Sequence, residues 1–184
     1  MDYEFLRGLS ARPRVHPNGF VQLDLGENEK LHVWPEEPLK TVDVETPMHD
    51  HTFGFASTLL VGALRHTAYR PVESENGAYH LYTVFPYKAV NMETPFVRLD
   101  DKRYDMEIRQ ELRIEAGQSY VFDEFEFHSS HPIGLTATHI RVYPFDRGLQ
   151  ARVACRYDQV PQVFDRHRFD EEFLWSIIRK VFPK

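Results

Sequence analysis

The chain has 184 residues, 42% hydrophobic and 27% charged, which fits a single folded unit spanning 1–184. Its 22 Lys and Arg against 28 Asp and Glu give a formal charge of −6 without a basic run, so nucleic acid is excluded as an expected partner. The lone Cys155 allows no internal disulfide, and neither a secretory apolar segment nor a membrane-length run is seen, so the expectation is a cytoplasmic protein.

Strand signals dominate the chain. "GFVQLDL" (19–25) alternates, and "KLHVW" (30–34) follows a Gly-Glu-Asn turn. "HPNGF" (16–20) reads as a turn around Asn-Gly. "ASTLLVGALRHTAYRPV" (56–72) is rich in β-favouring residues, with Gly62 as a bend or bulge. "YHLYTVFPY" (79–87) predicts a further strand ended by Pro86, after an exposed loop in "PVESENGAYH".

The stretch 103–117 has period two. Tyr104, Met106, Ile108, Leu112 and Ile114 share one side, interrupted by Gln110, while Asp105, Glu107, Arg109, Glu111, Arg113 and Glu115 share the other. "QSYVF" (118–122) and "TATHIRVYPF" (136–145) add two strands, and "DEFEF" (123–127) reads as a charged strand rim. Only the C-terminus looks helical. There Phe173, Leu174, Ile177, Ile178 and Val181 recur at helical spacing after an Asp170 cap, a stripe for the protein's own sheet or a dimer contact. Cys155 is expected to be a small buried residue.

Ten histidines are many for this length, and imidazole is the commonest metal ligand among side chains. In "PMHDHTFGFAS" (47–57), His49 and His51 stand two apart, so in a strand both point the same way and Asp50 points away. Two donors do not complete a site, and "FHSSHP" (127–132) offers His128 or His131 as a third. The simpler reading of these residues is histidines at strand edges, satisfied by water or backbone. His66 reads as a structural hydrogen bonder, with a fourth ligand or an acid–base group as the alternative. His131 is either a residue orienting His128 or a turn residue before Pro132.

The spacing of these residues resembles the two motifs of the cupin superfamily. His49-Asp50-His51, three residues, Phe55, six residues, Gly62 follows the first, with Phe55 where the family has Glu. Gly117 and His128 match the second at eleven positions, with Asp123 and Phe125 at its Pro and Gly and Pro132 at its closing Asn. The resemblance favours His128 over His131 and implies an all-β fold, a double-stranded β-helix (cupin jelly roll) with a C-terminal α-helix. Its core would span about 43–145, with N-terminal strands in 1–42 and a helical extension at about 165–182. Cupins often dimerise, so a homodimer is an expectation by analogy.

Three neutral imidazoles without a carboxylate leave a divalent ion its full charge, which favours an anionic ligand in its open positions. That donor set resembles the thiol (cysteine) dioxygenases, implying Fe(II), with Zn, Mn or Ni as alternatives, and a small thiol or carboxylate substrate. Ala56 stands where some of those enzymes carry a cross-linked Cys, and their Ser-x-His-x-Tyr spacing is absent. His139, Arg141 and Tyr143 share one strand face and are the candidate catalytic residues, unless that face is the outside of a sheet. Phe53, Phe55 and Tyr120 would form an apolar wall, and Arg141 or Arg65 would receive a carboxylate. The alternative function is a non-catalytic cupin that binds or senses a small ligand. A 2-oxoglutarate oxygenase would need His-x-Asp, which Asp50, facing away, does not supply.

Overall fold

Strand alternation near the N-terminus gives the sheet two faces with different work. In β2 (Val21–Gly26) and β3 (Glu29–Trp34), Val21, Leu23, Leu31 and Val33 are essentially fully buried on one side. Gln22, Lys30, His32 and Trp34 stand on the other, and the register pairs Gln22 with His32 and Asp24 with Lys30. The first face packs against a helix and the second lines a cavity. The computed structural model describes residues 1–44, 46–85, 96–144, 149–162 and 165–183.

The chain begins with α1 (Tyr3–Arg7) and β1 (Arg14–Val15), ahead of β2 and β3. It continues through β4 (Phe53–Glu73), β5 (Tyr79–Val84), β6 (Phe96–Arg98), β7 (Tyr104–Glu115) and β8 (Ser119–Phe122). The last elements are β9 (Phe127–Pro144), β10 (Ala151–Arg156) and α2 (Glu171–Val181). All the strands join one antiparallel sheet in the order β1-β2-β3-β9-β4-β7-β5-β10, with β6 on β5 and β8 on β4. The sheet curls into a half-barrel, so the protein is mostly β with a C-terminal helix, as in a jelly-roll-like fold.

The curl depends on the two longest strands. β4 and β9 pair along most of their length, with register shifts around Val61. Gly62 makes that shift possible: its φ is +78°, and a Cβ there would meet the Leu135 carbonyl oxygen at 2.3 Å. The extra residue reverses which side chains face inward. Phe53, Phe55 and Ser57 point in before the bulge, and His66 and Ala68 after it, opposite Ser130 and His128. Gly117, the other glycine of the cupin-like spacing, has φ +88° in the turn between β7 and β8.

Outside the curl, α2 buries Leu174, Trp175, Ile177 and Ile178 against Val21, Leu23, Leu31, Val33 and Ala137. Each such aliphatic side chain contributes about 1.5–3 kcal/mol on burial. Asp170 caps the helix by accepting from the Phe173 N–H at 3.0 Å. Phe173 itself is 44% exposed and stacks on Phe169, so Trp175 takes the place expected of it in the stripe. The chain also forms a helix at its start, contrary to the reading of the C-terminus alone as helical. Five residues are too few for a periodic signal, yet Leu6 is fully buried and Arg7 lies over the Trp175 ring at 4.8 Å.

The apolar side of β7 is less continuous than its alternation implies. Tyr104 and Met106 join one cluster with Leu81 and Phe127, and Leu112 and Ile114 join another with Leu59 and Leu64. Ile108, between them, is 65% exposed. β1, β6 and β10 are short elements that the sequence pattern does not announce. Cys155 in β10 is fully buried, as expected. Pro86 and Phe145, expected near strand ends, lie outside the described residues. Among the described residues no helix is long and apolar enough to cross a membrane.

Candidate metal centre

The segment holding His49 and His51 is pinned from both sides. His49 and His128 exchange backbone hydrogen bonds, N–H to O at 3.0 and 2.8 Å, which sets their side chains next to each other. On the other side, the Ala154 N–H donates to Met48 O and the Asp50 N–H to Arg152 O, both at 2.9 Å. The Asp50 carboxylate turns away from the histidines, as alternation requires, and is fully buried against the Arg152 guanidinium at 2.7 Å. Phe125 donates its N–H to His51 O at 2.8 Å and holds φ at 57°, a left-handed conformation where the family motif places Gly.

These anchors bring three rings together. Ring centroids lie 4.8 Å apart for His49 and His51, 4.6 Å for His49 and His128, and 5.1 Å for His51 and His128. One ring nitrogen from each lies within 4.8 Å of the other two. An ion about 2.1 Å from every donor needs those nitrogens within about 4.2 Å of each other, so the rings must draw in slightly to close on one. The donor chemistry fits a divalent metal. His49 donates from Nδ1 to the Pro47 carbonyl at 2.9 Å, which leaves Nε2 unprotonated. His128 is oriented more weakly by Glu126 O at 3.4 Å. Burial pushes His51 and His128 well below the usual imidazole range and His49 in the same direction, so all three are neutral ligands at pH 7.

The cavity over the cluster has a volume of about 190 Å³. Phe53, Phe55 and Tyr120 line it, as expected, together with Phe20, Trp34, Ile140 and Val142. Phe55, at the family's Glu position, has its centroid 5.8 Å from His51 and 5.7 Å from His128. An apolar ring therefore stands beside the cluster where a carboxylate would otherwise offer a fourth donor.

The candidates on β9 are not brought to this cavity. Ile140 and Val142 face in, so strand parity turns His139, Arg141 and Tyr143 out. Glu29 engages His139 at 3.4 Å and Arg141 at 2.9 Å, and Tyr143 is 49% exposed. Arg65 is exposed as well and does not line the cavity. His131 is exposed, with Nε2 3.2 Å from Ser129 Oγ. His66 is buried behind the cluster, stacked on His128 at 5.1 Å, with Nδ1 3.0 Å from Ser130 Oγ. Its buried Nε2 has no hydrogen-bond partner among the described residues, and desolvation takes its pKa down to about 4.

Other polar groups at the cavity escaped the sequence reading: His16, Asn18, Lys30, His32 and Arg166. Lys30, His32 and Trp34 share one face in "KLHVW", so alternation could have placed two polar groups toward a common space. His16 sits in the turn before β2, stacked on Phe20 at 4.2 Å, and carries no periodic signal. Arg166 belongs to a polar segment where nothing local marks it.

No protein-family model matches the chain, and no curated protein matches it in sequence. Among matching solved structures is the crystal structure of hydroquinone 1,2-dioxygenase from Sphingomonas sp. TTNP3 with 4-hydroxybenzoate bound. The likeness has a TM-score of 0.35 at 8% identity, covering 78% of this chain and 72% of that chain.

Proposed function

We propose that this protein is a mononuclear metal-binding cupin, a non-haem Fe(II)-dependent dioxygenase-like enzyme that acts on a small anionic substrate. The observation that carries this reading is the convergence of His49, His51 and His128 at one side of a partly open, largely aromatic cavity. These three residues would hold the metal. When bound, a divalent iron with three neutral ligands would supply oxygen activation and attract an anionic substrate group. The surrounding residues have simpler work. Phe55 and Tyr120 exclude water, and the backbone bond from His49 Nδ1 to Pro47 fixes the tautomer that leaves Nε2 as donor.

Elemental analysis of protein expressed untagged in iron-supplemented medium tests this directly. We expect about one ion per chain, lost in His128→Ala and His49→Ala, as a three-donor site predicts. Oxygen uptake with small thiols and carboxylates should then require both histidines. Zinc, manganese or nickel at that stoichiometry would revise the metal and leave the site standing. Full uptake in His49→Ala would overturn the enzyme reading. Phe55, in place of a carboxylate, favours a second reading in which the cavity binds or senses a ligand without turnover. Thermal stabilisation by ligands that never yield product supports that reading.

A further inference from the structure

The described residues lining the cavity include two cations, Lys30 and Arg166, and no carboxylate. The nearest acid by register is Asp24, the cross-strand partner of Lys30, and Arg14 already holds it at 2.7 Å. Lys30 reaches over Phe53, with Nζ 5.4 Å from the ring centroid, and Phe53 stacks on His51 at 4.6 Å. One aromatic ring therefore separates this ammonium from the histidine cluster. Both cations are felt by the cavity histidines, Lys30 by His32 and His51 and Arg166 by His16.

This charge arrangement discriminates among small acids. A half-buried ammonium has lost part of its hydration, and an entering carboxylate replaces it. A ligand that brings its own ammonium gains nothing comparable, because the Lys30 ammonium faces it and no carboxylate among the described lining residues receives it. Specificity built from such a repulsive element does not need tight shape complementarity. The aromatic walls meanwhile offer the remainder of the ligand an apolar surface.

We propose that the cavity selects small organic monoanions that carry no ammonium group, and that Lys30 sets this selection by pairing with the acid. The inference rests on reading the cavity as the substrate site and narrows that reading: α-amino acids, aminothiols among them, are disfavoured. Lys30 is a specificity-determining residue, placed one ring away from the donors rather than among them.

The test is calorimetric titration with three probes of one skeleton: phenylacetate, phenylglycine, which adds an α-ammonium, and neutral phenylacetamide. Wild-type protein should bind phenylacetate at least about ten-fold more tightly than either of the others, as one charge-assisted pair predicts. Lys30→Met keeps the apolar stem and should erase the preference for acid over amide, while Lys30→Arg should restore most of it. Metal is measured in the same samples. Its absence from wild type would defeat the metalloenzyme reading while the acid preference is still read by binding. Equal binding of phenylglycine and phenylacetate, an undiminished preference in Lys30→Met at unchanged metal content, or no binding of any probe would overturn the inference.

Discussion

Asp50 sits between the two histidines of the first motif and contributes through its absence from the cavity. Its carboxylate is fully buried and meets Arg152 at 2.7 Å, while the Arg152 guanidinium also reaches Phe125 O at 3.3 Å. One ion pair thus ties the His49–His51 segment to β10 and to the turn that receives His51. Breaking a buried pair from one side leaves the other charge uncompensated, which costs about 3 kcal/mol or more. Asp50→Ala should lower stability by that order in urea denaturation and weaken metal retention, although Asp50 is no ligand. Unchanged metal content in a folded, destabilised variant would show that the histidines hold their places without this tie. At this scale the sequence was informative wherever spacing alone sufficed: His49, His51 and His128 meet as their motif positions imply. It was silent on Arg152, because nothing in a single chain reveals which distant cation will face a buried carboxylate.

At the scale of elements, alternation told which residues share a face but not which face borders the cavity. His139, Arg141 and Tyr143 do lie together, yet on the side of β9 opposite Ile140 and Val142. On β9 one parity faces in throughout, His128 and Ser130 with Ile140 and Val142, whereas the bulge at Gly62 shifts the β4–β9 register and inverts the facing of β4 residues on either side of it. The glycine itself was legible as a bend, whereas the parity of each half depends on a pairing that local pattern does not specify. Gly62→Ala should be costly, since it adds a Cβ 2.3 Å from a carbonyl oxygen at φ +78°. The loss is expected to be at least about 2 kcal/mol. Because the bulge sets which way His66 and Ala68 face, partial loss of metal at full solubility should accompany it. Retained stability in chemical denaturation would mean that the strand relieves the clash by sliding.

The whole molecule gathers more histidines around one cavity than the ligand set requires, and this has a consequence for acid stability. His16, His32, His51 and His128 are pushed well below the ordinary imidazole range, His49 in the same direction and His66 to about 4, with burial the first cause in each. A group whose folded-state pKa is depressed binds protons more readily in the unfolded chain. Its contribution to stability is intact above the unfolded value of about 6.5 and is lost as pH falls toward the folded one. Each such histidine steepens the loss by up to about 1.4 kcal/mol per pH unit within that window. Urea midpoints should therefore be level above pH 7 and fall steeply between about pH 6.5 and 4.5. His66→Gln is the sharper probe, because His66 stands outside the three-donor set. It should flatten the profile by about one histidine's share while metal stays bound at pH 7.5. Metal adds a second acid dependence, since protons compete for the same ring nitrogens. Loaded protein should hold its midpoint to lower pH than stripped protein and then lose metal and structure together. A stripped protein whose stability is flat from pH 7.5 to 4.5 would show that water reaches these rings freely, contrary to the enclosure the fold gives them.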